Sequence, residues 1–477
     1  MELRKSIQKF LGGYPGGWQQ YARGRTPIED RPWVQPANLD DRRSVIPPLG
    51  LREYWYPAVP QKDIGWKKPV GLRLLGTDVV LFRDEQGAVQ ALLDVCPHRG
   101  VALSWGDCFW KGFVSCPYHG GTFDGNGECV AFITEGPDSK MVGRLSARKF
   151  PTRTIKGIVF IWMGDEAPSP IEEDIPAEFF EGEQTVILNT VRYWNCNWMV
   201  ALENTADAHN CFWVHRDSLF MLRSRFGGRP RTPLGYRSKI VNGRSAITFD
   251  YNTTAYYKKD GKLDYRMYYP GVKGHWPLHG WRLFWVWFFE WLEKRNARKP
   301  RFQTPEEWAM GTHLPSQQRI YSGSGGTGSM YTRVCIPVEE NLTRVFYYRS
   351  RRVPTAAGRF YERLAFNLWR NFISHYNFSD QDYDAMRTVR YDMPEYLSAT
   401  DSHLITQRRL ITQHARGLKR AVPVQDETSS ERLVIEGHGL LGVKVAIDGS
   451  GTSLSPDDKG AVIGLAGGLL GPPQSME

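Results

Sequence analysis

From Leu51 to about Asp165 the chain runs in short stretches where apolar and polar residues alternate: LREYWYPAV, VGLRLLG, DVVLFRDEQGAVQALLDV and GIVFIWMGD. Gly, Asp or Pro separates them. Period-two alternation bounded by turn residues predicts an antiparallel β domain, with DEQG as a hairpin turn. The Pro- and acid-rich GDEAPSPIEEDIP then interrupts the pattern and predicts a domain boundary. Beyond it TVILNTVRYWNCN alternates like a strand, WMVALENTADAHNCFWVH reads as a helix with a polar face, and strand patterns return from about Arg237 to Phe289 and from Arg319 to Arg352. GRFYERLAFNLWRNFISHY carries apolar residues at helical spacing, and SDQDYDAMRTVRYD begins a further helix. The fold class is therefore α+β: an antiparallel β domain over 51–165 and a sheet flanked by helices over 175–420. Residues 1–50, rich in Gly, Pro and Arg, predict an irregular arm. Residues 421–477, dominated by Gly, Ser and Asp, predict a flexible tail without a core-forming pattern.

The longest apolar run, WRLFWVWFFEWLEK, is too short to span a bilayer and carries Arg282 and Glu290. It predicts a strand buried on both faces, with Trp285, Trp287 and Phe289 able to line an aromatic pocket. No signal peptide is visible at the start of the sequence, because no apolar core follows MELRKSIQKF. The net charge of +10 is carried by scattered Lys and Arg rather than a basic arm. That distribution argues against a nucleic-acid partner and fits attraction of an acidic redox partner or an anionic substrate. Seven cysteines without disulfide-like spacing fit a reducing cytoplasm.

CPHRG and CPYHG carry the clearest chemistry. Each joins a cysteine to a histidine beside a Pro-bearing loop: Cys96 with His98, and Cys116 with His119. A Rieske-type 2Fe-2S cluster requires two thiolates on one iron and two imidazoles on the other. Structural zinc sites instead usually group two cysteines and then two histidines. Apolar runs lead into each pair, which places the pairs at the tips of two facing hairpins. Cys108 and Cys129 lie outside the pairs and read as ordinary thiols.

A Rieske cluster moves single electrons, so a chain of this length needs a second centre to use them. ALENTADAHNCFWVHRD supplies His209 and His215, and SDQDYDAM supplies Asp380, Asp382 and Asp384. Two histidines and one carboxylate form the facial triad that holds ferrous iron and leaves positions open. Taken together, CPHRG, CPYHG, NCNWMVALEN with a following Asp and His, and the late FSDQD resemble the catalytic α subunit of the Rieske non-haem iron oxygenases over roughly residues 50–415. The resemblance implies a Rieske β domain plus a helix-grip-like catalytic domain, a homotrimer, and electrons from NAD(P)H through a separate reductase, sometimes by way of a ferredoxin. It also implies that Asp207 relays the electron to the iron of a neighbouring subunit, and that Asp382 is the carboxylate ligand beside His209 and His215.

In one respect the chain departs from the family spacing, which puts the first histidine at the position of Asn210 rather than His209. A regular helix turns about 100° per residue, so neither position shares a face with His215 unless the helix is bent. Imidazole is the better iron ligand, which favours His209; Asn210 as ligand or water holder is the alternative. The activity implied is hydroxylation or O- or N-demethylation of an organic, aromatic substrate, with phthalate-type enzymes in the same branch. The alternatives are cis-dihydroxylation of a ring, or an electron-transfer protein with a defective iron site.

Overall fold

The computed structural model describes residues 46–206, 214–215, 237–250, 288, 291, 311–322, 329–390, 401–418, 433–436 and 444–447. The N-terminal alternating segments form ten antiparallel strands in three small sheets. The first sheet joins β1 (Trp55–Pro60), β10 (Ile158–Trp162) and β9 (Thr152–Ile155). The second runs β2 (Val70–Leu74), β3 (Thr77–Arg83), β4 (Val89–Leu93) and β8 (Lys149–Phe150). The third is β5 (Val114–Ser115), β6 (Gly121–Phe123) and β7 (Cys129–Phe132). The DEQG turn forms as predicted between β3 and β4, where the Asp84 side chain accepts from the Ala88 amide at 2.8 Å and Gly87 takes a φ of 90°.

The second region is built on a seven-stranded antiparallel sheet in the order β11 (Thr185–Trp194), β17 (Leu342–Arg352), β16 (Ser329–Glu339), β15 (Gln317–Ser322), β14 (Gly311–His313), β13 (Ser245–Asp250) and β12 (Arg237–Val241). Among the described residues four α-helices of eight or more residues accompany it: α1 (Trp198–Ala206), α2 (Ala356–Ala365), α3 (Ser379–Met386) and α4 (Ser402–His414). Between α2 and α3 the chain winds wider, as π-turns over Phe366–Arg370 and Phe372–Phe378.

Strand alternation gives the two faces of this sheet different tasks. Arg333 pairs with Tyr347 across β16 and β17, and the next residues on that face, Tyr331 and Arg349, pair likewise. This side meets the helices: Arg333 donates to the Ala201 carbonyl of α1 at 3.3 Å. The opposite face meets the N-terminal sheets. There Arg344 donates to the Pro57 carbonyl at 3.1 Å, Tyr348 packs on Phe179 at 5.0 Å, and Arg319 reaches both oxygens of the fully buried Glu178 at 2.7 Å. Beyond α4, Arg416 bonds the Glu53 carbonyl at 2.9 Å, pairs with Asp174 and lies 4.1 Å over the Tyr54 ring. One apolar core consequently runs through both regions, while the loops around Cys96 and Cys116 keep a smaller core of their own.

Two expectations are corrected. In the Trp-rich run, Phe288 and Trp291 are helical and exposed, not strand; three residues apart, their rings share one side of a turn and stack at 6.4 Å. Trp285, Trp287 and Phe289 lie outside the described residues. Of the helix expected from Trp198 through His215, Trp198–Ala206 form α1, whereas Val214 and His215 form a turn; residues 207–213 lie outside the described residues. In the tail, Leu433–Glu436 and Lys444–Ile447 pair as two antiparallel strands, β18 and β19. LVIE and KVAI are β-prone clusters on either side of a Gly-rich segment, a hairpin signal that the Gly and Ser around them concealed.

Two candidate metal centres

The first centre lies where β4 and β5 end. CPHRG and CPYHG fold into two loops of the same form: the Cys96 amide bonds the Val101 carbonyl and the Gly100 amide returns to the Cys96 carbonyl, both at 2.8 Å. The second loop repeats this with Cys116 to Gly121 at 2.8 Å and Gly120 to Cys116 at 3.1 Å. Each needs a glycine in left-handed conformation, with φ of 78° at Gly100 and 67° at Gly120. Asp94 braces the first loop by accepting from the Ser104 amide at 2.6 Å.

These loops bring all four predicted residues together. The Cys96 and Cys116 thiols hydrogen-bond each other, which pushes the Cys96 thiol up and holds that of Cys116 at about 6. The His98 and His119 rings lie 4.9 Å apart, edge to face. Sulfur therefore sits beside sulfur and imidazole beside imidazole, the segregation a two-iron cluster asks for. His119 Nδ1 is buried without a hydrogen-bond partner, a vacancy that a metal bond would fill. Backbone amides of His98 and Arg99 donate to the Cys96 sulfur, and those of Tyr118 and His119 to Cys116. Such donors stabilise thiolate charge. Cys108 and Cys129 are buried and belong to the small core.

The second centre is enclosed. His215 is 1% exposed and Asp382 2%, and His215 Nε2 stands 2.9 Å from Asp382 Oδ1. His215 Nδ1 lies 3.1 Å from Gln381 Oε1, and Phe378 stacks on the ring at 3.6 Å. A neutral imidazole has one N–H to give, yet both nitrogens face acceptor oxygens. An imidazolium meets both contacts by donating twice; a cation shared with Asp382 meets them with a neutral ring, Nδ1–H donating to Gln381 while Nε2 turns its lone pair to the metal.

The three aspartates of SDQDYDAM separate by environment. Asp380 is taken by Arg192, whose Nη2 lies 2.5 and 2.6 Å from its two oxygens, and Asp384 pairs with Arg387 on the surface of α3. Asp382 alone faces His215. Its burial works against ionisation, but His215 and Arg333 outweigh that and hold its carboxyl below the usual range. Asp207, His209 and Asn210 lie outside the described residues. Three partners of this site went unassigned in the sequence: Gln381, Asn204, whose amide donates to Asp382 Oδ1 at 3.1 Å, and Arg333, which lies 3.2 Å from Asp382 Oδ2. Gln381 and Asn204 sit inside the quoted motifs, whereas nothing in the pattern around Arg333 marks it.

Residues 54–149 match the model of the Rieske [2Fe-2S] domain, and residues 162–419, more than half the chain, match that of the homotrimeric ring hydroxylases. The terminal oxygenase component of carbazole 1,9a-dioxygenase from Sphingomonas sp is 32% identical over 231 residues, covering 45% of this chain and 59% of that protein. The oxygenase component of dicamba O-demethylase from Stenotrophomonas maltophilia is 34% identical over 169 residues, covering 35% and 48%. The chain thus matches about half the length of these curated relatives. The solved terminal oxygenase of carbazole 1,9a-dioxygenase from Novosphingobium sp. KA1 shares the fold, with a TM-score of 0.61 at 24% identity over 79% of this chain and 98% of that one. With a Rieske domain matched at one end and the hydroxylase domain at the other, this chain belongs to the homotrimeric ring hydroxylase family.

Proposed function

We propose that the protein is a terminal oxygenase that hydroxylates, or O- or N-demethylates, an organic, aromatic substrate with dioxygen. The observation that carries this reading is the opposition of His215 Nε2 and Asp382 Oδ1 at 2.9 Å in a buried site, in one chain with the paired Cys-His loops. Cys96, His98, Cys116 and His119 would hold the 2Fe-2S cluster; His209, His215 and Asp382 would hold the mononuclear iron; Asp207 would relay the electron. Ferrous iron in the second site, when bound, activates dioxygen with an electron supplied from the cluster. The protein's own part is to fix His215 through Gln381 and Phe378, to keep Asp382 ionised in a dry setting, and to exclude water.

The relatives named as dioxygenase and O-demethylase components support the substrate class. The family description supports a homotrimer, and solved neighbours titled as complexes of oxygenase and ferredoxin support delivery of NAD(P)H electrons through a reductase and a ferredoxin. No helix among the described residues is long and apolar enough to cross a membrane, and the six described cysteines are unpaired, which supports a cytoplasmic setting.

The test is iron and acid-labile sulfide per chain after purification without oxygen, followed by turnover of aromatic acids and aryl methyl ethers in 18O-labelled dioxygen. Three irons to two sulfides are expected, with one labelled oxygen in a hydroxylated product or, for an aryl methyl ether, in the released formaldehyde while the phenol carries none. Two irons to two sulfides after iron is offered would overturn the oxygenase reading, and a doubly labelled diol would replace monooxygenation by dihydroxylation.

A further inference from the structure

Arg333 is a fully buried cation in the middle of β16. Its guanidinium lies 4.6 Å from the Trp194 ring and 5.6 Å from that of Tyr347. Nη1 donates to Asn204 Oδ1 at 2.7 Å, Nη2 approaches Asp382 Oδ2 at 3.2 Å, and the Asn204 amide donates to Asp382 Oδ1 at 3.1 Å. A closed triangle thus joins β16, α1 and α3. The neighbouring pair on α3 shows what this arrangement does differently: Arg192 takes both oxygens of Asp380. Arg333 takes one oxygen of Asp382, spends its other arm on Asn204, and leaves Oδ1 turned to His215.

We propose that Arg333 is a positioning residue for the second metal centre. It occupies Asp382 Oδ2, so that the carboxylate offers a metal Oδ1 alone, and it places a fixed positive charge beside the site. The inference rests on the functional reading above, because it needs iron between His215 and Asp382. Lysine keeps the charge but lacks the planar fork, so it cannot hold Asn204 and Asp382 at once.

The test uses the full chain with its cluster, purified without oxygen, as wild type, Arg333→Lys, Asn204→Ala and Arg192→Lys. Ferrous iron affinity is measured by chelator competition, and the geometry of the site by the EPR spectrum of the nitric oxide adduct; the Rieske EPR signal in the same samples reports the fold. Arg333→Lys is expected to weaken iron binding ~10–100-fold and change the nitrosyl line shape with the Rieske signal intact. Arg192→Lys, which alters an equivalent pair without touching Asp382, should stay within ~3-fold of wild type. Wild-type affinity and spectrum in Arg333→Lys would overturn the inference while leaving the functional reading in place. Should Arg333→Lys lose its Rieske signal, Asn204→Ala decides: unchanged iron binding and spectrum there overturn the triangle. A wild-type chain that takes up no iron beyond the cluster overturns the functional reading, and the inference falls with it.

Discussion

The two histidine-bearing centres of this chain are built in opposite ways. The cysteine-histidine loops are local constructions, closed by backbone bonds between residues four or five apart, seated on a small core of their own and ringed by exposed aromatics such as Trp105 and Phe109. The His215–Asp382 site is a long-range construction. Its partners come from α1, the turn at His215, β16 and α3, and it is buried under the main core with charge held by charge. A one-electron carrier must be reached from outside, which suits ligands at a surface tip. A site that activates dioxygen must exclude water, which only converging elements achieve.

The sharpest way to break this contrast is to remove one centre and look for the other. Cys116→Ser should abolish the visible absorbance and EPR signal of the cluster while the second site still takes up one iron; loss of both irons would mean that the local centre is not independent. Asp382→Asn should do the reverse, lowering iron per chain by one and leaving sulfide and the Rieske signal unchanged. Retained iron and turnover in this variant would remove Asp382 from the ligand set.

Next in size is the sheet face turned away from the second centre. Arg319→Ala leaves Glu178 buried without its cation, and a loss of about 3–5 kcal/mol is expected, read as a fall in the denaturant midpoint. A midpoint that barely moved would show that the pair carries little of that face's stability. Gly100→Ala tests the local loop itself. A methyl group meets nothing within 4 Å there, so the cost should be the left-handed backbone alone, about 1–2 kcal/mol, with the cluster still assembled.

The last test concerns pH. Burial raises the Asp174 carboxyl to about 6 despite Arg416 beside it. A folded-state pKa above the unfolded value contributes stability that is full below about 3.8 and is lost as pH rises through about 6. Asp174→Asn should therefore flatten the stability profile between those values, by about 3 kcal/mol. An unchanged profile in the variant would show that Asp174 does not titrate in this window.

The same contrast explains what could be read in advance. Period-two alternation located the strands from Trp55 to Trp162 and the pair β16 and β17, and Cys96, His98, Cys116 and His119 were legible because their loops are contiguous in sequence. Asp382 could only be named as one of three aspartates. What separates it from Asp380 is Arg192, a residue on β11 that no spacing connects to α3. The Trp-rich run failed for a related reason: a run apolar at nearly every position has no period, so strand and helix are equally compatible with it. The reading of residues 198–215 as a single helix fails at its end, where Val214 and His215 form a turn.

By itself the sequence determined the α+β class, the cluster loops and the residue types of the second centre, because turn chemistry, alternation and short ligand spacings act between neighbours in the chain. Only the tertiary structure decided which carboxylate faces His215, that Gln381 and Asn204 brace the pair, and that a buried arginine from β16 completes them. Those choices depend on which side chains meet across packed elements and on burial in a low-dielectric interior, where each charge must find a partner.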